Sequence, residues 1–192
     1  MSSRRLVFAS TNAGKLAELS ALLGSEWTVQ SLSDFPQIGE IAETADTFEG
    51  NALLKARACL AATGILSVAD DSGLCVDALG GGPGVHSARY AATDALRIST
   101  LLSALHGLTP EQRTARFVCV LCAAWPDGRI EYARGECEGR ILHRPRGEGG
   151  FGYDPIFRLP EGRSMAELSR EEKAAVSHRG KAFAALVTRL TT

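Results

Sequence analysis

No stretch of this chain approaches the ~20 consecutive apolar residues that a membrane-spanning helix needs, so a helical membrane protein is not expected. The N-terminal run from Met1 to Ala9 carries two arginines, but its apolar part is too short for a signal peptide; the expected location is cytoplasmic. Charge of one sign is lacking as well: 21 Lys and Arg against 22 Asp and Glu leave a net charge of −1. That excludes a global basic field for nucleic acid or an acidic membrane surface, and no basic stripe accompanies the aromatics. Any affinity for phosphate must then come from a local group of cations. No GxxxxGKS or GxxxxGKT occurs, so a P-loop is excluded. Residues 147–152 match GxGxxG, but Tyr-Asp-Pro-Ile-Phe follows where a dinucleotide fingerprint needs a helix. Cysteine is sparse at five residues. Cys119 and Cys122 form a CxxC within a strand-like run, where they would point to opposite faces. No second pair exists to complete a zinc site, so the thiols are expected to be core residues in a reducing compartment.

What is present fits a soluble domain. The 192 residues, 45% hydrophobic and 22% charged, suffice for one domain with its own core, alone or with a small lobe. No internal repeat or low-complexity tract interrupts it. A strand-like run at 6–9 leads through Ser10, Thr11 and Asn12 into a helix with Leu16, Leu19, Leu22 and Leu23 on one face, a βα unit with Asn12 near the N-cap. Lys15 in the first turn makes that helix start a plausible phosphate site, although an ordinary cap explains it too. Residues 27–32 read as a second strand and 34–46 as an acidic loop with Glu40, Glu43 and Asp46. Asp46 with Glu49 resembles a capping box for a helix ending at Gly64, with Lys55 two turns in. Further runs at 65–69 and 74–79 read as strands, and Thr93 or Asp94 can cap a following helix. The β-rich runs 113–125 and 129–138, joined by Pro126-Asp127-Gly128, predict a hairpin in a second lobe spanning about 113–140, and hence a mixed sheet. A charged helix over 164–175 and a last helix with Phe183, Leu186, Val187 and Leu190 on one face complete the chain.

The chemistry centres on Val-Ala-Asp70-Asp71-Ser72-Gly73. Adjacent side chains on an extended backbone face opposite ways, so one carboxylate can face a cleft while the other serves a different role. At a strand's carboxyl end such a pair suits a divalent metal or proton abstraction; Asp, Ser and Gly are equally ordinary turn residues. Once the core faces are assigned, the polar groups left over are Ser10, Asn12, Lys15, Glu43, Lys55, Asp70, Asp71, Ser72, residues 149–154, Lys173, His178 and Arg179. Three lysines point to a polyphosphate. Three carboxylates point to a hard cation, Mg²⁺ by preference, and an aromatic in a glycine-rich loop with His and Arg points to a stacked, hydrogen-bonded base. Together they describe a nucleoside triphosphate site with hydrolytic equipment.

Six blocks then carry a resemblance: Ser10-Thr-Asn-Ala-Gly-Lys15, Thr47-Phe-Glu-Gly-Asn-Ala-Leu-Leu-Lys-Ala56, Ala69-Asp-Asp-Ser-Gly-Leu74, Gly84-Val-His-Ser-Ala-Arg-Tyr90, Gly149-Gly-Phe-Gly-Tyr-Asp-Pro-Ile-Phe157 and Ser177-His-Arg-Gly180. In this order, and over nearly the whole chain, they resemble the inosine triphosphate pyrophosphatase family. The resemblance implies an α/β fold: an elongated mixed β-sheet flanked by helices, in two lobes with a deep active-site cleft, the whole chain being one domain and usually a homodimer. It implies Mg²⁺-dependent hydrolysis of non-standard purine nucleotides (ITP, dITP, XTP) to the monophosphate and pyrophosphate, with no nucleic-acid or membrane partner. By the same resemblance Asp71 is the proton acceptor and, with Glu43, a metal ligand. Ser10, Thr11, Asn12, Ala13, Gly14, Lys15, Lys55 and Ser72 would hold phosphates and sugar. Phe151, Gly152, Tyr153, Asp154, Lys173, His178 and Arg179 would hold the rest of the substrate, the last two at the base. A pool-cleaning pyrophosphatase of different base preference, as in the Maf-like group, is the rival enzyme; block 177–180 and Phe151 speak against it. A nucleotide sensor that binds without turnover does not explain a carboxylate pair beside three lysines.

Overall fold

The computed structural model describes residues 4–191, and the side chains of 4–190. The first three residues of the stretch weighed as a leader lie outside the described residues. Leu6, Val7 and Phe8 are fully buried in β1 (Arg4–Phe8), and Asn12 caps α1 (Ala13–Leu23), its side chain accepting from the Lys15 N–H at 3.1 Å. Leu19 and Leu23 face inward, but Leu22 is 45% exposed. It lies about 60° around the helix from Leu19, at the flank of the buried stripe. β2 (Trp27–Ser31) pairs parallel with β1. The capping box expected from Asp46 and Glu49 is not formed. Thr47 caps α2 (Phe48–Thr63), accepting from the Gly50 N–H at 3.0 Å. Position N3 is thereby Gly50, which has no side chain to return the bond, and Glu49 instead accepts from Arg134 at 2.8 Å. Gly64, at φ +66°, ends the helix in the left-handed region as anticipated.

The runs at 65–69 and 74–79 are largely one strand, β3 (Ser67–Val76), so Asp70 and Asp71 lie inside a strand rather than in a turn or at a strand's end. α3 (Asp94–Ala104) is capped by Thr93. β4 (Thr114–Ala124) and β5 (Ile130–Ile141) meet at the expected turn, where the Gly128 N–H donates to Trp125 O at 3.0 Å. β6 is Phe157–Arg158. The charged stretch 164–175 is not one helix. A single turn, Met165–Glu167, and α4 (Arg170–Val176) each open with their own capping box, at Ser164 with Glu167 and at Ser169 with Glu172. α5 spans His178–Thr191, with His178, Arg179 and Gly180 of the Ser177-His-Arg-Gly180 block in its first turn.

The sheet has the order β2-β1-β3-β4-β5-β6, parallel where β1 meets β2 and β3 and antiparallel where β5 meets β6. The fold is thus α/β with a mixed sheet. Contacts divide the chain into two compact units: Met1–Asp71, Cys119–Gly135 and Ala182–Thr192 in the first, Ser72–Val118 and Glu136–Lys181 in the second. The β4–β5 hairpin, expected at about 113–140 in a second lobe, is divided between these units, its turn and the strand halves beside it belonging to the first. The first unit's core gathers Phe8, Leu19, Val68, Leu121, Phe183 and Leu186; the second's gathers Leu74, Leu101, Phe117, Ile156, Phe157 and Met165. Each buries an apolar helix stripe on strand faces, which is the dominant stabilising term. Among the described residues no helix is long and apolar enough to cross a membrane.

None of the five cysteines is in a disulfide; four are buried and Cys75 is half-buried. Burial pushes the thiols of Cys59 and Cys122 up to about 11. The raised value keeps these groups protonated at pH 8, with a thiolate fraction of about 0.1%. Titrating the native protein with a thiol-reactive disulfide at pH 8 should modify Cys75 quickly and the other four only on unfolding. Rapid reaction of three or more thiols in the folded protein would contradict the core assignment.

Candidate active site

β3 is buried on both faces, so two adjacent carboxylates within it need compensating charges: an unpaired buried ion costs several kcal/mol. Asp70 is 4% exposed and Asp71 7%. Alternation along the strand separates them, and each finds a lysine on a different helix. Lys15 Nζ of α1 lies 2.6 Å from Asp70 Oδ2. Lys55 Nζ of α2 lies 3.5 Å from Asp71 Oδ1 and 2.7 Å from Glu43 Oε1. Glu43, rather than Glu40, is the loop acid that reaches this group. Burial works against the charge on Lys55, but its hydrogen bond to Glu43 and the charges of Asp71, Asp70 and Glu43 outweigh that and hold the ammonium above its ordinary pKa. Burial raises the pKa of the Asp71 carboxyl above its ordinary value. Lys55 and the Asn51 hydrogen bond oppose the rise, and Glu43 and Asp70 add to it.

Asn51 is a member of this group that the sequence reading did not name. It is fully buried; its Nδ2 donates to Asp71 Oδ2 at 3.2 Å, while its Oδ1 accepts from the Ala45 N–H at 2.9 Å. One amide thus ties the loop carrying Glu43 to the strand carrying Asp71. The available signal was a polar residue inside the buried stripe of α2, between Phe48 and Ala52, where an amide must be satisfied by specific partners. At the start of α1 the turn is self-braced, Ser10 Oγ accepting from the Asn12 N–H at 3.2 Å. Thr11, Asn12, Ala13 and Gly14 are exposed there, at a helix end whose first turn holds no acidic residue.

Within the second unit Ser72 continues β3, half-buried. Phe151 is 62% exposed, with Lys173 Nζ 4.7 Å and the Arg179 guanidinium carbon 5.9 Å from its ring centre. Asp154 is 4% exposed and holds this loop from beneath, accepting from the Phe151 N–H at 2.8 Å and from Lys173 Nζ at 2.5 Å. Gly150, at φ +75°, lies so close to the Asp154 side chain that a Cβ would collide with it. Tyr153 is buried, its hydroxyl donating to Ser87 O at 3.0 Å; burial pushes that phenol up to about 12. The His178 ring stacks on Phe117 at 4.9 Å and 15°. Arg179 Nε is buried with no hydrogen-bond partner among the described residues.

The structure thus brings Lys15, Glu43, Lys55, Asp70 and Asp71 into two linked ion-pair groups in the first unit. It brings Phe151, Asp154, Lys173 and Arg179 into one cluster in the second. Among the described residues no group of three or more His, Cys, Asp or Glu side chains is arranged to hold a metal by itself. Glu43 and Asp71 nevertheless fit a hard cation: both are oxygen donors and both converge on a single positive charge, that of Lys55. A magnesium ion asks for no more than one or two carboxylates, the rest of its shell being water and phosphate.

Residues 6–189 match the Ham1 family. A dITP/XTP pyrophosphatase of Symbiobacterium thermophilum is 50% identical over 99% of this chain and 96% of its own length. One from a Nostoc species is 53% identical over 96% and 93%. Among solved structures, a HAM1 protein from Coxiella burnetii superposes with a TM-score of 0.93 at 44% identity, covering 98% of both chains. A nucleoside-triphosphatase / dITP/XTP pyrophosphatase from Mycobacterium abscessus does so at 0.83 and 47%, covering 95% of this chain and 98% of that one. Matched by the family over nearly its whole length and by relatives at about half identity, this chain belongs to the Ham1 family.

Proposed function

We propose that the protein hydrolyses the α–β phosphoanhydride of ITP, dITP and XTP, releasing the nucleoside monophosphate and pyrophosphate. The observation that carries this reading is the pair of buried aspartates in β3, each held by a lysine from a separate helix, Lys15 at 2.6 Å and Lys55 at 3.5 Å. Such lysines are poised to exchange a carboxylate for a phosphate oxygen. Ser10 to Lys15, Lys55 and Ser72 bind phosphates and sugar. Phe151, Gly152, Tyr153, Asp154, Lys173, His178 and Arg179 form the rest of the substrate site. Tyr153 and Asp154 act there by shaping the loop, since their side chains are engaged internally. Asp71 accepts the proton of the attacking water, and the lysines neutralise charge gathering on the leaving pyrophosphate.

Glu43 and Asp71 would hold a divalent cation, Mg²⁺ by the all-oxygen donor set, which when bound supplies further neutralisation of phosphate charge. With only these two acids available, the metal would arrive together with the triphosphate. The two units work as one catalytic domain, a reading supported by β3, β4, β5 and α5, each of which runs through both. A cytoplasmic homodimer completes the proposal; the cysteines, none in a disulfide, support the reducing compartment, and the six matching blocks support the dimer.

A panel of ATP, GTP, ITP, dITP and XTP, with and without Mg²⁺, tests the reading. Pyrophosphate and orthophosphate are measured separately. The deaminated nucleotides should release pyrophosphate fastest, and only with the metal. Orthophosphate as first product, or equal rates across the panel, would refute it.

A further inference from the structure

Two features keep the loop after Gly150 in shape from outside. The Tyr153 hydroxyl reaches Ser87 O, as noted above. The second link is polar and lies nearer the surface: the Gly152 N–H donates to Asp94 Oδ2 at 2.8 Å. Asp94 opens α3 and is 49% exposed at its side chain. Its other oxygen, Oδ1, accepts from Arg97 Nη1 at 2.6 Å, and Arg97 Nε donates to Ala91 O at 2.9 Å. Arg97 therefore fixes the carboxylate that fixes the loop. Gly152 has φ +60°, a conformation glycine adopts without strain, and this turn sends its N–H toward Asp94. Between them, Asp94 and Asp154 bind the amides of Gly152 and Phe151, on either side of the exposed ring.

We propose that Asp94 is a positioning residue for the base-binding loop: through the Gly152 N–H, and braced by Arg97, it holds Phe151 in the pose that receives the purine. This rests on the reading of Phe151 as a substrate contact. Asp94 touches no substrate; it removes an ordering step that binding would otherwise have to complete, so its loss weakens binding and spares the chemical step. A rival role is local: an acidic residue in the first turn of a helix stabilises it through the helix dipole alone. That role predicts a lower Tm and an unchanged KM.

The test compares Asp94→Ala, Asp94→Asn, Arg97→Gln and Phe151→Ala in the full chain, by steady-state hydrolysis of ITP and by thermal unfolding. Asp94→Ala should raise KM about tenfold, the scale of one side chain's ordering cost, with kcat within about threefold of wild type. Asp94→Asn retains an oxygen that accepts from Gly152 and should recover most of the loss, while Arg97→Gln should fall between. If Phe151→Ala raises KM and Asp94→Ala does not, whatever its Tm, the positioning role is wrong and the loop reading stands. If Phe151→Ala itself leaves KM unchanged, the loop is no substrate contact, and the reading beneath the proposal fails.

Discussion

Replacing Asp71 by Asn should leave a folded protein whose kcat on ITP is lower by about 10²–10⁴-fold, or roughly 3–5 kcal/mol of barrier. The fold should survive because Asn fills the same space and keeps one oxygen to accept from Asn51 Nδ2, now 3.2 Å away, or from Lys55. Lys55 also keeps Glu43 at 2.7 Å, so no buried ammonium is left alone. What disappears, on the proposed reading, is the proton acceptor. Burial, the first cause acting on Asp71, gives its carboxylate a greater hold on a proton than an ordinary surface acid has. An amide has no such basicity. The proposed metal site would lose one of its two acids as well, so the variant should need more Mg²⁺ for half-maximal rate. Pyrophosphate release under saturating ITP, paired with a melting curve, checks the prediction. A kcat within threefold of wild type at an unchanged Tm would take Asp71 out of the chemistry.

The same aspartates mark where sequence reasoning ran short. Local pattern was enough for β1, for the Asn12 cap, for the turn at Pro126-Asp127-Gly128 and for the buried stripe of α5, because each is decided by residues within a few positions of one another. Asp-Asp-Ser-Gly also obeys local pattern, and that pattern is a turn. Only lysines 55 and 16 positions away, delivered by α1 and α2, make an uninterrupted strand affordable there. The N-cap moved by one residue, and the box was lost with it, because Thr47 competes with Asp46 for the cap and neighbouring propensities do not rank two good caps. Asn51 and Asp94 were passed over for the same reason: their partners are Asp71, 20 residues on, and Gly152, 58 residues on. The residues of the candidate site were therefore largely nameable from their chemistry. The side chains that hold them in place were not, because a supporting role is a property of three-dimensional neighbours.

Replacing Arg179 by Ala should collapse discrimination between ITP and ATP, lowering the ratio of their kcat/KM values by about 10²-fold or more. A site built to hydrogen-bond a substrate group can reject an analogue lacking it by about 10⁴-fold. Arg179 Nε is buried without a hydrogen-bond partner among the described residues, a condition that costs about 1–3 kcal/mol if nothing ever completes it. On the proposed reading, a base stacked on the exposed face of Phe151, whose ring centre is 5.9 Å from the guanidinium carbon, would bring an acceptor to that guanidinium. Hypoxanthine and xanthine offer a 6-keto oxygen there; adenine offers an amino group and would set donor against donor. If Arg179 reads the base, it would favour the deaminated bases twice, by rewarding the keto group and by leaving two donors unmatched when adenine enters. Arg179→Lys retains the charge but not the planar fork, so it should lose most of the selectivity too, which separates hydrogen-bond geometry from simple electrostatic attraction. Guanine shares the keto group, so the ratio of ITP to GTP should hardly change in either variant. An ITP-to-ATP ratio that survives the loss of Arg179 would assign base reading to another group, with His178, fixed by its stacking on Phe117, the next to replace.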